Sequence, residues 1–127
     1  MTKVDYPVGD FLIRVKNVAL AGHSEVITDN TKLVHSTALA LKDMGYLKEV
    51  KVTEGKLNVT ITKVSKKPLV TDIKLISKPG LRIYMGADEI EKRRSPSQLI
   101  VSTSKGVVSA KIAIKNKMGG EIIAEVL

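Results

Sequence analysis

The sequence predicts an α+β fold in two lobes. An N-terminal α-β-α-β-β lobe covers residues 1–64, and a C-terminal lobe that is mostly β with one short helix covers residues 65–127. Three observations support this fold class: helical spacing of apolar residues near the start, apolar runs around glycine turns from residue 47 onward, and a polar break at Lys66-Lys67-Pro68. A chain of 127 residues can bury a core of its own, either as one domain or as two lobes that share an interface.

Two amphipathic helices are predicted in the N-terminal lobe. The first starts at Pro7, because proline suits a first helical turn, and it stops at Gly22. The second ends at Gly45, and Asp29, Asn30 and Thr31 are all plausible N-caps for it. The predicted core faces are Phe11, Leu12, Val15, Val18 and Ala19 on the first helix, and Leu33, Val34, Thr37, Ala38 and Leu41 on the second.

Strands are predicted where apolar runs flank turn residues. A strand at Val26–Thr28 separates the helices, and Leu47–Thr53 forms a hairpin with Leu57–Thr62 around Gly55. The C-terminal lobe is predicted to contain, in order, strands Val70–Ser77 and Leu81–Met85 joined by Lys78-Pro79-Gly80, a helical turn Ala87–Lys92, a loop Arg93–Ser97, strands Leu99–Thr103 and Val107–Val108, a helix Ala110–Lys117 capped by Ser109, and a strand Glu121–Val126 after Gly119-Gly120.

The positive charge is concentrated in the C-terminal lobe. The chain has a net charge of +8, and the part after Lys63 holds 12 basic and 6 acidic residues against 9 and 7 before it. We therefore expect a surface that faces a polyanion in the C-terminal lobe. Lys92-Arg93-Arg94 is read as a solvated charge run, although it could also be part of such a site.

The aromatic content limits the kind of nucleic acid that could bind. Tyr6, Phe11, Tyr46 and Tyr84 are the only aromatic residues. Proteins that hold single strands by stacking need several exposed rings, each worth about 1–3 kcal/mol. A nucleic-acid partner is therefore expected to be structured, and to be recognised by its shape, phosphates and sugar hydroxyls.

Enzymatic, metal-binding and membrane functions have little support. The absence of cysteine excludes a disulfide scaffold, a thiol nucleophile and a cysteine-ligated metal. His23 and His35 have no third ligand at metal spacing, and no phosphate-binding glycine loop occurs. Ser102–Lys105 matches the S-x-x-K string of acyl-transfer enzymes, but acyl transfer by this motif needs the serine one helical turn before the lysine, in a much larger fold. No apolar run approaches the ~18 residues of a membrane span, and the start lacks a signal-peptide core, so we expect the protein to stay in the cytoplasm where it is made. Since no motif for a metal or a nucleotide is present, no cofactor is expected.

The candidate binding residues are neutral hydroxyls beside glycines and a few cations. The stretch Ser102, Thr103, Ser104, Lys105 and Gly106 suits contacts to phosphates, 2′-hydroxyls and base edges. Gly119 and Gly120 could form a second point of close approach, with Glu121 either accepting from a base amine or holding a loop; the alternative is an ordinary turn and a helix C-cap. Arg82 and Tyr84 are predicted on one strand face, where Tyr84 either contacts nucleic acid or covers a core edge.

Collinear strings resemble one known family. They are Lys78–Tyr84 (KPGLRIY), Val101–Val107 (VSTSKGV) and Gly119–Ile123 (GGEII), supported by Pro7, Asp10, Leu12, Arg14 and Asn17 in the first helix, and by Thr31–Leu33 and Leu41–Leu47 around the second. In this order they are similar to the bacterial small ribosomal subunit protein eight family. The matches run from about Pro7 to Val126.

The resemblance implies a non-enzymatic protein that binds 16S rRNA. In that family the C-terminal lobe docks on an irregular stem of the central domain and helps to organise the platform of the small subunit. The implied contact residues are Ser102, Thr103, Ser104, Lys105, Gly106, Gly119, Gly120, Glu121, Tyr84, Arg82, Lys78 and Lys111. The implied partners are small-subunit proteins five and twelve and, in some bacteria, the protein's own messenger, whose repression is the alternative function.

This chain departs from the family pattern at three places. Ser95-Pro96-Ser97-Gln98 stands where a Gly-Leu-Gly stretch is usual, and Tyr6 stands where Asp is usual. Lys111 and Ile114 replace two arginines on the helix after the hydroxyl-rich loop. Two rival functions remain, a small hydrolase that uses Ser102 and Lys105 and a scaffold that binds only proteins. The protein is expected to be a monomer away from the ribosome.

Overall fold

The computed structural model describes residues 6–64, 67–93 and 98–127. Residues 1–5, Lys66 of the polar break, and Arg94–Ser97 of the predicted loop lie outside the described residues. The described elements in chain order are α1 (Pro7–Leu20), β1 (Glu25–Asp29), α2 (Lys32–Asp43), β2 (Leu47–Thr53), β3 (Lys56–Ile61), β4 (Lys63–Val64), β5 (Lys67–Pro68), β6 (Ile73–Leu75), β7 (Tyr84–Met85), α3 (Ala87–Lys92), β8 (Gln98–Thr103), β9 (Gly106–Ser109), α4 (Ala110–Lys115) and β10 (Gly120–Val126).

The described strands form antiparallel sheets, of which the first belongs to the N-terminal part of the chain and the largest to the C-terminal part. The first sheet has the order β1-β3-β2, and the largest has the order β6-β10-β8-β9, with β7 paired to the start of β10. A two-stranded ladder of β4 and β5 falls between these two sheets in the order of the sequence. The predicted α+β class is confirmed: helices and strands mix in the N-terminal part, and the C-terminal part is mainly sheet.

One hydrophobic core joins the two parts. Its buried members come from α1, α2 and the first sheet and also from the large sheet, where Ile73, Ile100, Ala124 and Val126 are almost fully buried. Burial of this apolar surface is the main force that holds the parts together. The boundary at residue 64 between two lobes stays a prediction.

The large sheet is buried on its other face as well. Leu99, Val101 and Ile122 pack there against Ile90 of α3 and Ala113 of α4. Neighbouring residues of β8 therefore point into two different cores, because side chains alternate between the faces of a strand. This double burial explains why β8 and β10 each contain three consecutive apolar residues, at 99–101 and 122–124, rather than a strict alternation.

Local sequence signals placed most helix and turn boundaries correctly. Pro7 begins α1, and of the three candidate N-caps the side chain of Thr31 accepts the bond from the Val34 N–H at 3.2 Å. Glu54 and Gly55 both have positive φ, as a two-residue hairpin turn requires. Ser109 caps α4 by accepting from the Ile112 N–H.

Several predicted extents were wrong. The strand at 70–77 is reduced to β6 and the strand at 81–85 to β7, because residues 78–81 fold into a tight turn with paired Lys78–Leu81 backbone bonds. The last helix ends at Lys115 rather than Lys117, whose φ is positive. Leu33 is 45% exposed instead of buried, because the buried stripe of α2 runs through Val34, Thr37, Ala38, Ala40 and Leu41.

Gly119 and Gly120 allow β10 to approach its neighbours closely. A Cβ on Gly119 would lie 2.6 Å from the Met85 carbonyl oxygen and 2.8 Å from the Gly86 Cα. A Cβ on Gly120 would overlap the carbonyl oxygen of Ser102. These neighbours are backbone atoms, which cannot turn away as a flexible side chain can. Packing within the protein is therefore a sufficient reason for both glycines.

Replacing Gly120 by alanine is expected to destabilise the protein strongly. The added methyl group would push β10 away from β8, and overpacking against backbone costs about 3 kcal/mol. Thermal or urea unfolding measures the loss. Gly86→Ala is the matched control, because a Cβ there meets only the flexible end of Glu89 at 3.8 Å, so that its cost is about 1 kcal/mol or less. Equal stability of the two variants would contradict the close approach at Gly120.

Candidate nucleic-acid interface

The hydroxyl-rich stretch forms the turn between β8 and β9. Thr103 and Gly106 pair across the end of the hairpin, and Ser104 and Lys105 form the turn itself. The Thr103 hydroxyl donates to the Gly106 carbonyl oxygen at 2.8 Å and accepts from the Lys105 N–H at 3.1 Å. Thr103 therefore shapes the turn from inside. Its hydroxyl is engaged within the protein.

Ser104 and Lys105 are the exposed residues of this turn. Neither side chain bonds to another residue in the part of the chain that the structure describes. Ser102 is half-buried and lies opposite Glu121 of β10 on one side and Val107 of β9 on the other. The turn thus presents one neutral hydroxyl and one flexible cation to solvent on a backbone that the Thr103 bonds hold in shape.

Glu121 is held by a cation at the start of β10. Its Oε2 atom lies 3.2 Å from Nη1 of Arg82, and the Arg82 guanidinium stands over the Tyr6 ring, 4.9 Å from the ring centroid. Such contacts between a cation and a ring are attractive. Burial raises the pKa of the Tyr6 hydroxyl, while the adjacent Arg82 acts to lower it. Tyr6 therefore stays neutral at physiological pH, and Arg82 balances the charge of Glu121.

Tyr84 lies in register with Glu121 and faces solvent. Its side chain is 67% exposed, so it does not cover a core edge. Because Glu121 also pairs with Ser102, the strand β10 brings Tyr84 and the β8–β9 hairpin to the same end of the sheet. An exposed ring next to a hydroxyl-bearing turn is suited to packing on a ribose or a base.

Ser77 fixes the loop that carries Lys78 and Arg82. Its fully buried hydroxyl accepts from the Ile83 N–H at 3.0 Å and donates to the Ile83 carbonyl oxygen at 3.3 Å. Lys78 is exposed at the start of the tight turn that follows. The loop is therefore a closed structure that presents Lys78 outside and directs Arg82 to Glu121.

Lys111 and the two glycines are placed differently from the other candidates. Lys111 lies on α4, beyond the end of β9 that is remote from the turn, beside a concavity formed with Asp43 and Tyr46. The structure therefore does not bring Lys111 together with the hydroxyls of the turn. Gly119 and Gly120 face the backbone of β7 and β8. Whether these residues also contact RNA stays a prediction.

The described residues contain no group of three His, Cys, Asp or Glu side chains that could hold a metal ion. Ser102 stands in a strand and Lys105 in the turn after it, so the S-x-x-K string is not on one helix turn. No helix within residues 6–64, 67–93 and 98–127 is long and apolar enough to cross a membrane.

Sequence reasoning missed the contribution of Tyr6 to this site. Tyr6 is the residue before α1, its ring covers Gly9, and a side chain on Gly9 would overlap that ring. It reaches Arg82 across 76 positions of the sequence, and no local pattern reports such a contact. Ser77 was assigned to a strand, and its two hydrogen bonds to Ile83 identify it as the residue that closes the loop.

Comparisons with known proteins agree with this architecture. The family model described as Ribosomal protein S8 matches residues 6–127. The small ribosomal subunit protein uS8 of Nitratidesulfovibrio vulgaris strain DP4 is 38% identical over 121 residues, which cover 94% of this chain and 96% of that protein. Those of Geobacter metallireducens and Desulfovibrio desulfuricans are 37% and 36% identical over the same shares of the two chains. The chain therefore belongs to the ribosomal protein S8 family.

Proposed function

We propose that this chain is a structural component of the small ribosomal subunit that binds an irregular stem in the central domain of 16S rRNA. The supporting observation is the end of the large sheet, where an internally bonded turn exposes Ser104 and Lys105 and where the exposed ring of Tyr84 also lies. The relatives, all named small ribosomal subunit proteins, support the assignment to that particle. The role is non-enzymatic and belongs in the cytoplasm, where bacterial ribosomes work.

Neutral hydroxyls provide the selective part of this binding. A serine hydroxyl both donates and accepts, so Ser104 can bond to a 2′-hydroxyl, a phosphate oxygen or a base edge without a net charge. The side chain is short and stands on a hairpin, so that it meets its partner only when the RNA surface has the right shape. Recognition of this kind distinguishes one stem geometry from regular duplex.

Lys105 provides the non-selective part. An ammonium group that neutralises a phosphate releases a counterion, and this gain does not depend on the RNA sequence. Lys78 on its neighbouring loop is a second candidate for such a contact. Tyr84 adds one stacking surface, in keeping with a structured RNA rather than a single strand that would need several rings.

Glu121 is compatible with an RNA surface because Arg82 accompanies it. A lone carboxylate would repel phosphates, whereas the ion pair at 3.2 Å leaves little net charge at this point. The outer lone pairs of the carboxylate remain available to a base amine. The same RNA-binding end could also hold the protein's messenger, and docking of ribosomal proteins five and twelve would organise the platform around it.

The proposal is tested by binding to a 16S central-domain transcript in the presence of excess tRNA, over a series of salt concentrations. Binding that survives the competitor and falls with salt would support recognition of a structured site. If excess tRNA abolishes all binding to the transcript, the net charge of +8 alone accounts for the binding, and the proposed function is wrong.

Ser104→Ala is expected to weaken binding to the central-domain transcript by about tenfold, which corresponds to one lost hydrogen bond to a charged or well-placed partner. The salt dependence should not change, because no charge is removed. Filter binding or calorimetry measures both quantities. Ser24→Ala is the matched control, since Ser24 lies before β1, away from the turn, and its side chain has no hydrogen bond among the described residues. An equal loss on a regular duplex would refute the selective role of Ser104.

Lys105→Ala is expected to weaken binding to every RNA and to reduce the magnitude of the salt slope by about one. One phosphate contact disappears while the hydroxyls stay in place. The exposed Lys48 of β2 offers a matched control, because Lys48→Ala removes the same charge from the other sheet. A slope identical to that of the unmodified protein would mean that Lys105 does not neutralise a phosphate.

A further inference from the structure

The β8–β9 turn is also held from outside, by helix α2 of the N-terminal part. The Ser36 hydroxyl oxygen accepts a hydrogen bond from the Val107 N–H at 3.1 Å, across 71 positions of the sequence. A Cβ on Gly106 would lie 3.6 Å from the same oxygen, so that α2 and the turn are in van der Waals contact. These are contacts between the first half of the chain and the residues proposed to bind RNA.

The Val107 amide needs such a partner because of its place in the sheet. β9 is at the edge of the β6-β10-β8-β9 order, so an N–H that points away from β8 has no strand to pair with. Val107 is only 7% exposed, and water therefore has little access to this amide. A buried N–H without an acceptor is costly, and Ser36 removes that cost.

Ser36 and Thr103 hold the two sides of one peptide unit. The carbonyl oxygen of Gly106 accepts from the Thr103 hydroxyl, and the N–H of the same peptide donates to Ser36. In a trans peptide the C=O and N–H point in opposite directions, so the two hydroxyls fix its orientation about the chain axis. Gly106 has φ of 118°, a conformation in which glycine alone is relaxed and which needs such support to stay unique.

We propose that Ser36 is a positioning residue for RNA recognition. By fixing the Gly106–Val107 peptide, it determines the direction in which Ser104 and Lys105 leave the turn. This inference rests on the proposed function and assigns part of its selectivity to a helix outside the sheet. Ser36 acts through the turn, and it affects the choice between RNAs more than the attraction to phosphates.

Ser36→Ala tests this role with two measurements. Its affinity for the 16S central-domain transcript is expected to fall by about fivefold to tenfold, the effect of one lost hydrogen bond, while its affinity for a regular RNA duplex and its salt slope stay unchanged. Hydrogen exchange of the Val107 amide, followed by NMR in the free protein, should become faster. Ser36→Thr keeps the hydroxyl and should restore both the affinity and the slow exchange. Ser24→Ala again serves as the matched serine control.

The outcomes separate this inference from the function on which it rests. If the unmodified protein selects the transcript but Ser36→Ala selects it equally well, Ser36 has no positioning role. Equal losses on the transcript and on the duplex, or a threonine variant as weak as the alanine variant, would overturn it as well. If the unmodified protein fails to select the transcript, the proposed function is wrong and the inference falls with it. Unchanged exchange at Val107 in Ser36→Ala would refute the structural step independently of any RNA.

Discussion

Strand β10 is buried on both faces, and this double burial positions the other segments of the C-terminal sheet. β10 pairs with β6, β7 and β8, so that three segments far apart in the sequence take their positions from it. Ile122 enters the small core below α3 and α4, whereas Ile123 and Ala124 enter the core shared with the N-terminal helices. A register shift between Ile122 and Ala124 permits this change of face.

The geometry of the end of the sheet proposed to bind RNA follows from that constraint. The first residues of β10 lie beside the turn end of the β8–β9 hairpin, so Glu121 pairs with Ser102 on one side and with Tyr84 on the other. Gly120 brings β10 against the backbone of β8 at this point, where any side chain would overlap the Ser102 carbonyl oxygen. The side chains proposed to contact RNA are therefore carried by short, well-supported segments, and such placement on a rigid scaffold is suited to selection by shape.

The sequence predicts those features that depend on neighbouring residues. Helix α1 and the turn at Glu54–Gly55 were confirmed, and the N-cap of α2 is Thr31, one of the three predicted candidates, because proline, hydroxyl and glycine signals act between residues that are close in the sequence. The strands around residue 78 were overextended, because the apolar spacing there does not reveal that Ser77 bonds to Ile83 and closes a loop. Leu33 was wrongly placed in the core, since its spacing fits the buried stripe of α2 although its position is at the edge of that stripe.

The candidate site was predictable only in part for the same reason. The turn from Ser102 to Gly106 was recognisable from its residue types. Its fixation by Ser36 and the stacking of Arg82 on Tyr6 are contacts between residues of the N-terminal and C-terminal parts that are far apart in the sequence. Periodicity and composition contain no information on pairs that far apart. Exposure was equally out of reach: Tyr84 could have covered the core, and only the fold shows that it faces solvent.

The distribution of charge separates attraction to RNA from selection of one site. Lys111, Lys115 and Lys117 belong to α4 or directly follow it, whereas the turn at the far end of β9 contributes a single cation, Lys105. A field from several lysines acts over about 8–10 Å at ordinary salt and needs no contact, so in the proposed function α4 attracts RNA without touching the recognised stem. At the neighbouring start of β10, Arg82 balances Glu121, and the hydroxyls of the turn are neutral. In the proposed function, hydrogen bonds from these neutral hydroxyls select the stem, while Lys105 adds one phosphate contact that does not depend on the RNA sequence.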